Sequence, residues 1–370
     1  MENKKNFYIN GKWVTPKSKE EIKVINPATE ENCAVITLGN KDDVSDAVNA
    51  AKNAYSSWAF SSKDERIKLL EKLYENYKKR WADIASAITT EMGAPKDFST
   101  KLQTGTGASH IKSFIRYLKD FEFERGLGDH AKNQRILYEP KGVCALITPW
   151  NWPINQVCLK VIPALAAGCT MVLKPSKEAP LNAFALADML HEIGVPKGVF
   201  NLVSGHGREI GEAMSRHGGV DMVSFTGSTN AGVRVAELAA PTVKRVTLEL
   251  GGKSANIILD DADIPRAASS AIHACFGNSG QECSALTRLL IPENSRQEVI
   301  DVISAKIEKY SVGDPRVEGN KCGPMVSRKQ QESVTSFIRS GIEQGATLVF
   351  GGEGLPEGIE RGFYVKPTIF

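Results

Sequence analysis

The strongest constraint on how this chain can fold is a change of texture after Pro140. From there, short apolar runs alternate with segments of helical spacing: Val143 to Thr148, Ile154 to Leu165, Thr170 to Leu173, Leu181 to His191, Val199 to Val203 and Val220 to Phe225. Strands this short and apolar are covered on both faces, and strands separated by helices return in parallel. The rhythm predicts an α/β fold built on a doubly wound parallel sheet. A strand over Arg245 to Glu249 ends at Gly251-Gly252. A second α/β rhythm follows, in Ala255 to Leu259, helix Asp263 to Phe276, strand Leu289 to Pro292 and helix Ser295 to Tyr310. A domain boundary is expected near Gly251, and 370 residues suit two domains of roughly 150 to 200 residues.

Ahead of Pro140 the pattern is different. Residues 7–14 (FYINGKWV) place Asn10-Gly11 between two aromatic or β-branched runs, which predicts a hairpin. Val44, Ala47, Val48, Ala51, Tyr55 and Trp58 recur at helical spacing, as do Ile67, Leu70, Leu73, Tyr74 and Tyr77. Residues 105–121 predict a third helix, and 122–140 are too polar for a core and predict a projecting hairpin.

Several function classes are excluded by composition. With 46 Lys+Arg against 43 Asp+Glu, the net charge of +3 leaves no footprint for nucleic acid. The run Lys78-Lys79-Arg80 reads as a solvated helix face. Residues Met1 to Val14 lack the apolar segment of a secretory signal, and the longest mainly apolar stretch, Val161 to Leu173, is too short to span a membrane. The 7 cysteines show no CxxC and the 6 histidines no HExxH, so neither a metal site nor a disulfide framework is expected, and a reducing cytoplasm is the expected compartment.

Six places can carry chemistry. Gly205-His206-Gly207 with Gly211 follows an apolar strand where a dinucleotide-binding turn sits, although the acidic residue expected about 20 positions on is missing and Asp221 comes too soon. Phe225-Thr226-Gly227-Ser228, continuing to Gly232, opens a helix and can offer hydroxyls and free N–H groups to a pyrophosphate, or simply cap that helix. Lys174 closes a strand at the same edge, where a lysine reaches ribose or phosphate oxygens or stays solvated. Asn151, framed by Trp150 and Trp152, can donate to a developing oxyanion or merely form a turn. Cys283 lies in a polar glycine-containing loop and is more available as a nucleophile than Cys144, Cys158, Cys169 or Cys275 in their apolar segments. Glu249, between Leu248 and Leu250 at a strand end, suits a general base with a raised pKa or a structural ion pair.

Read in order, these texts resemble the successive motifs of the aldehyde dehydrogenase superfamily. The motifs are Pro149 to Pro153, Lys174-Pro175-Ser176, Phe225 to Thr229, Leu248-Glu249-Leu250-Gly251-Gly252-Lys253-Ser254 and Gly280-Gln281-Glu282-Cys283. The likeness runs from the opening hairpin and Asn26-Pro27-Ala28-Thr29 to the last residue. It implies a Rossmann-like cofactor-binding domain over 1–121 and 141–250, an oligomerisation hairpin at 122–140 that builds a homodimer or homotetramer, and a catalytic domain over 251–370. Carried over by position, the nucleophile matches Cys283, the general base Glu249 and the oxyanion amide Asn151, while Lys160 matches a lysine behind the active site. The cofactor set implied is Trp150, Lys174, Ser176 and Lys177, the glycine loop with Gly207 and Gly211, and Phe225, Thr226, Gly227, Ser228, Gly232 and Leu250.

The chemistry implied is oxidation of an aldehyde to a carboxylic acid with NAD or NADP, through a thiohemiacetal and a thioester on Cys283. Glu249 favours hydrolysis of that thioester over the rival reading, a CoA-acylating semialdehyde dehydrogenase. Two departures stand out. Three residues after Lys174, NAD-preferring relatives carry a glutamate, whereas this chain has Lys177 followed by Glu178, and a cation there accommodates the 2′-phosphate of NADP. The chain also stops at Lys366-Pro367-Thr368-Ile369-Phe370, before the family's Glu-x-Phe-Gly-Pro segment. This predicts a fragment whose catalytic domain is incomplete, with a catalytically inactive remnant that only binds nucleotide as the alternative. The aldehyde itself is set by tunnel walls near Asn155, Gln156 and Ser284.

Overall fold

The computed structural model describes residues 3–370. The opening hairpin is β1 (Phe7–Ile9) and β2 (Lys12–Val14), joined by Asn10 and Gly11 at φ of 53° and 76°, the left-handed pair a two-residue turn requires. A second antiparallel pair, β3 (Glu20–Ile25) and β4 (Asn32–Leu38), was not expected from the sequence. Helices α1 (Lys41–Trp58) and α2 (Lys63–Lys79) follow where the periodicity places them. Each starts from a capping box, Asn40 with Asp43 and Ser62 with Glu65. The helix α3 (Trp81–Met92) is also additional to the sequence expectation. After it come the short α4 (Lys96–Phe98), a π-helical turn over Ser99–Gln103 and α5 (Thr104–Asp120). The projecting hairpin is β5 (Glu124–Gly126) and β6 (Arg135–Leu137), solvated along nearly its whole length.

The predicted rhythm then unfolds as β7 (Val143–Ile147), α6 (Pro153–Ala167), β8 (Thr170–Lys174), α7 (Leu181–Glu192), β9 (Phe200–Leu202), α8 (Glu212–Arg216), β10 (Met222–Gly227), α9 (Thr229–Ala239) and β11 (Arg245–Leu250). These strands pair in parallel, and β1 adds antiparallel to β9, giving the sheet order β11-β10-β7-β8-β9-β1-β2. The opening hairpin is thus the outer edge of the main sheet. Strand β7 shows why both sides need helices. Cys144 and Leu146 enter the core under α6 and α7, while Val143, Ala145 and Ile147 enter the one under α1.

The strand order runs from β7 through β8 to β9 in one direction and from β10 to β11 in the other. Between β7 and β10 the winding reverses, and a crevice opens beyond their carboxyl ends, where an open parallel sheet binds ligands. Past β11 a two-stranded parallel sheet, β12 (Ala255–Ile257) and β13 (Arg288–Leu290), is joined by α10 (Ile264–Phe276) and followed by α11 (Arg296–Ile307). Ile264, Ala268, Ile272, Val299 and Ile303 give it a separate small core. Both strands end sooner than their apolar runs suggest, with Leu259 solvated at 63%. A further helix, α12 (Arg328–Glu343), has no counterpart in the sequence expectation.

One buried carboxylate links the helical layer to the sheet layer. Glu91 of α3 is fully buried and accepts the N–H groups of Leu181 (2.7 Å) and Asn182 (3.3 Å) and the Asn182 Nδ2 (2.8 Å). Helix α7 has no side-chain cap of its own, so Glu91 satisfies its orphan donors from outside. Burial nevertheless pushes the Glu91 carboxyl up to about 7. Because the folded pKa is raised, the contribution is full below pH 4.5 and is lost as pH rises through about 7. The expected loss is on the order of 3 kcal/mol between pH 4.5 and 8, and Glu91→Gln should remove it. Urea unfolding of both proteins across this range tests this, and parallel pH profiles would refute it.

Candidate active site

The crevice is bounded on one side by the loop after β7 and the ends of β10 and β11, and on the other by the loop after α10. The cavity between them is about 710 Å³ and is lined by Trp150, Asn151, Thr226, Glu249, Gln281 and Cys283 among others, with α12 flanking it through Phe337 and Ile338. Four of the five motifs, scattered over more than a hundred residues, thereby meet at one crevice, while Lys174-Pro175-Ser176 does not line it.

Cys283 is exposed in its loop, whereas Cys144, Cys158, Cys169 and Cys322 are buried. Burial pushes the Cys158 and Cys275 thiols up, away from the thiolate a nucleophile needs. Cys275 is only half-buried and, with Cys322, shares the cavity lining, which the apolar sequence around it does not show. The loop owes its shape to Asn278, Ser279 and Gly280, three successive residues at φ of 52°, 58° and 74°. Asn151 bridges the crevice: its Nδ2 donates to the Gln281 carbonyl at 3.0 Å, two residues before Cys283. An amide nitrogen has a second N–H to offer.

Strand pairing places Thr226 opposite Glu249, and Ser224 opposite Thr247. Alternation along a strand puts all four side chains on the α6 face. From α6, the buried Lys160 donates through Nζ to Ser224 Oγ at 2.8 Å. Burial pushes its ammonium down to about 8, and the Glu249 charge pulls it back up. Glu249 itself is exposed at the crevice rather than sunk among its leucine neighbours, which corrects the expectation of an apolar setting. Gly252 comes close to the nucleophile loop, since a Cβ there would stand 3.8 Å from the Cys283 carbonyl oxygen.

Lys174 is no solvated lysine. It is 5% exposed, its Nζ donates to the Pro175 carbonyl at 3.0 Å, and burial, assisted by the Lys177 charge, pushes it down to about 8. Lys177 pairs with Glu178 at 2.7 Å, and Ser176 Oγ accepts the Glu178 N–H in a local turn. Ser228 caps α9, its Oγ accepting the Ala231 N–H. Phe225 faces the core under α1, and Gly232 lies against Leu250, whose Cδ2 a Cβ would meet at 2.7 Å. Leu250 lines the cavity from the other side. Gly207 and Gly211 begin and end a π-helical turn that leads into the five-residue α8, and neither lines the cavity. Asn155 is hydrogen-bonded to His110 at 2.7 Å and also stands apart from the cavity, as does the buried Gln156.

Two buried hydroxyls at the winding reversal have no partner among the described residues, Thr148 Oγ1 just after β7 and Thr226 Oγ1 near the end of β10. An unpaired buried hydroxyl costs about 1–3 kcal/mol, so this pair fits a polar ligand in the crevice. With the buried Lys174 at the end of the neighbouring strand, the donor set suits the hydroxyls and phosphates of a dinucleotide.

The sequence profile of the aldehyde dehydrogenase family matches residues 13–370. The chain belongs to the aldehyde dehydrogenase family. It is 48% identical over 371 residues to a 3-succinoylsemialdehyde-pyridine dehydrogenase from a Pseudomonas species, a match covering all of this chain and 77% of that protein. A putative aldehyde dehydrogenase from Staphylococcus haemolyticus is 46% identical with the same coverage. Among solved structures, an aldehyde dehydrogenase from Bartonella henselae superposes with a TM-score of 0.97 at 50% identity, over 100% of this chain and 77% of that one. A cysteine-to-alanine mutant of aldehyde dehydrogenase C from Pseudomonas syringae, in complex with NAD+ and octanal, superposes with a TM-score of 0.96 at 45% identity, over 98% and 74%. The chain is an NAD(P)-dependent oxidoreductase that converts an aldehyde to a carboxylic acid. Among the described residues no helix is long and apolar enough to cross a membrane, and no group of three or more His, Cys, Asp and Glu side chains could hold a metal ion.

Sequence reasoning overlooked Gln103, which reaches into the site from the π-helical turn, and gave Asn278 no role although it stands in the quoted Cys283 loop.

Proposed function

We propose that Cys283 is the nucleophile, Asn151 the oxyanion donor and Glu249 the general base of this aldehyde dehydrogenase. The observation that carries the reading is the Asn151–Gln281 hydrogen bond, which ties the amide to the loop bearing Cys283 across the crevice from Glu249. The thiolate attacks the aldehyde carbon, and the negative oxygen is held by the free Asn151 N–H and a backbone N–H near Cys283. Bound nicotinamide supplies the hydride acceptor. Collapse of the tetrahedral adduct leaves a thioester on Cys283. Glu249 takes a proton from water, the resulting hydroxide attacks the thioester, and the acid departs as the thiolate is restored. Lys160, whose buried ammonium the Glu249 charge helps to keep protonated, is the supporting cation behind the site.

In the same reading, Trp150, Lys174, Ser176, Lys177, Thr226, Gly227, Ser228 and Leu250 form the cofactor surface. Gly207, Gly211, Phe225 and Gly232 shape the backbone behind it. Residues 1–121 with 141–250 serve as the cofactor-binding unit and 251–370 as the catalytic unit. The hairpin at 122–140 serves oligomerisation, supported by the exposed Leu137 and Tyr138. A homodimer or homotetramer in a reducing cytoplasm suits this surface and seven unpaired cysteines.

Single-turnover reduction of NAD+ and NADP+ with straight-chain and aryl aldehydes, octanal among them, tests the function. A burst of reduced cofactor stoichiometric with protein is expected, and folded protein that gives none would overturn the proposal. Lys177 favours the 2′-phosphate, so Lys177→Glu is expected to raise the KM for NADP+ about tenfold or more, some 1.4 kcal/mol, with little change for NAD+. An unchanged ratio of the two KM values would show that Lys177 does not read the phosphate.

A further inference from the structure

One buried polar chain remains without a role in this chemistry. Gln103 is fully buried at the end of the π-helical turn Ser99–Gln103, a backbone form rare in helices and frequent at functional sites. Its Nε2 donates to Asn278 Oδ1 at 2.9 Å and lies 3.4 Å from the Asn151 carbonyl oxygen. Asn278, 1% exposed, donates through Nδ2 to that same carbonyl at 2.9 Å and to the Gln281 carbonyl at 3.3 Å. The ring closes through Asn151 Nδ2, which donates to Gln281 at 3.0 Å.

Two features show that this ring does more than fill space. Ser279, next to Asn278, holds left-handed backbone at φ 58°, which a residue other than glycine or asparagine keeps only when its surroundings impose it. Gln103 Oε1 has no partner among the described residues, so the position uses the donor end of the amide and leaves the acceptor end unpaired.

We infer that Gln103 is a positioning residue, which through Asn278 fixes the Asn151 amide against the loop that carries Cys283. This rests on the roles assigned to Asn151 and Cys283 above. Without the Gln103 donor, the Asn278 amide loses its reason to face Asn151, the Asn151 carbonyl loses its donors, and the N–H meant for the oxyanion shifts. A displacement of about 1 Å costs roughly a hundredfold in rate.

Single-turnover kinetics of four variants test the inference. Gln103→Leu should slow the burst about 10- to 100-fold with the KM for cofactor within about twofold of wild type. In an Asn151→Ala background the same change should cost less than about threefold, because the route ends at Asn151. Gln103→Glu keeps the shape and can donate only when protonated, so its rate relative to Gln103→Leu should rise as pH falls. A wild-type burst in Gln103→Leu, an equal loss in the Asn151→Ala background, or a pH-independent ratio each overturns the inference. A burst that survives Cys283→Ala would instead overturn the underlying assignment.

Discussion

Replacing Cys283 by alanine abolishes the burst of reduced cofactor, with a loss on the order of 10⁴-fold or more in turnover, as expected when a covalent nucleophile is removed. The position supports this large effect on chemistry with little effect on folding. Cys283 is exposed, and substitutions at exposed positions usually change stability by less than about 0.5 kcal/mol. The variant should therefore unfold with the same midpoint as wild type and still bind cofactor, whose surface it leaves untouched. Turnover surviving in Cys283→Ala would transfer the nucleophile role elsewhere. Cys275 and Cys322 line the same cavity and are the residues to examine next.

The second large effect separates the two halves of the reaction. Glu249→Gln keeps the shape of the strand end and the charge-free hydrogen-bonding capacity but cannot take a proton from water. Acylation should proceed, giving a burst close to one per site, while the steady rate that follows falls about 10² to 10⁴-fold. Mass spectrometry of the quenched variant should show the acyl group on the peptide containing Cys283. An unchanged steady rate would remove Glu249 from the deacylation step and return the CoA-transfer reading to consideration. Placing Glu249 at the mouth of the crevice rather than in an apolar pocket gives water direct access to it.

Much of this arrangement was legible in the chain because it rests on local patterns. Strands β7 and β8 are apolar at nearly every position because both faces are covered, and that signal survives without any knowledge of neighbours. Asn10-Gly11 announced its turn for the same reason, since few residue pairs accept two successive left-handed conformations. Strands β3 and β4 gave weaker signals. The run of β3 mixes lysine and glutamate with isoleucine and valine on a half-solvated strand, and only its pairing with β4 makes it one. Helix α12 was hidden because its face toward the rest of the protein contributes a single fully buried residue, Ile338.

The site divides along the same line. Cys283, Asn151 and Glu249 stand in unusual local texts, so the sequence could point at them. Gln103 stands in an ordinary polar stretch and matters through contacts 175 residues away, which nothing in its neighbourhood records. Lys174 shows the converse, a residue type that is solvated by default but is buried here by the elements closing over the strand end.

The hydrogen bond between Asn151 and Gln281 spans 130 residues of chain, and that separation fixes an order of events during synthesis. A ribosome releases the strands of the main sheet, which end at Leu250, before the segment that carries Cys283. The seat for the dinucleotide can therefore be in place when the nucleophile arrives.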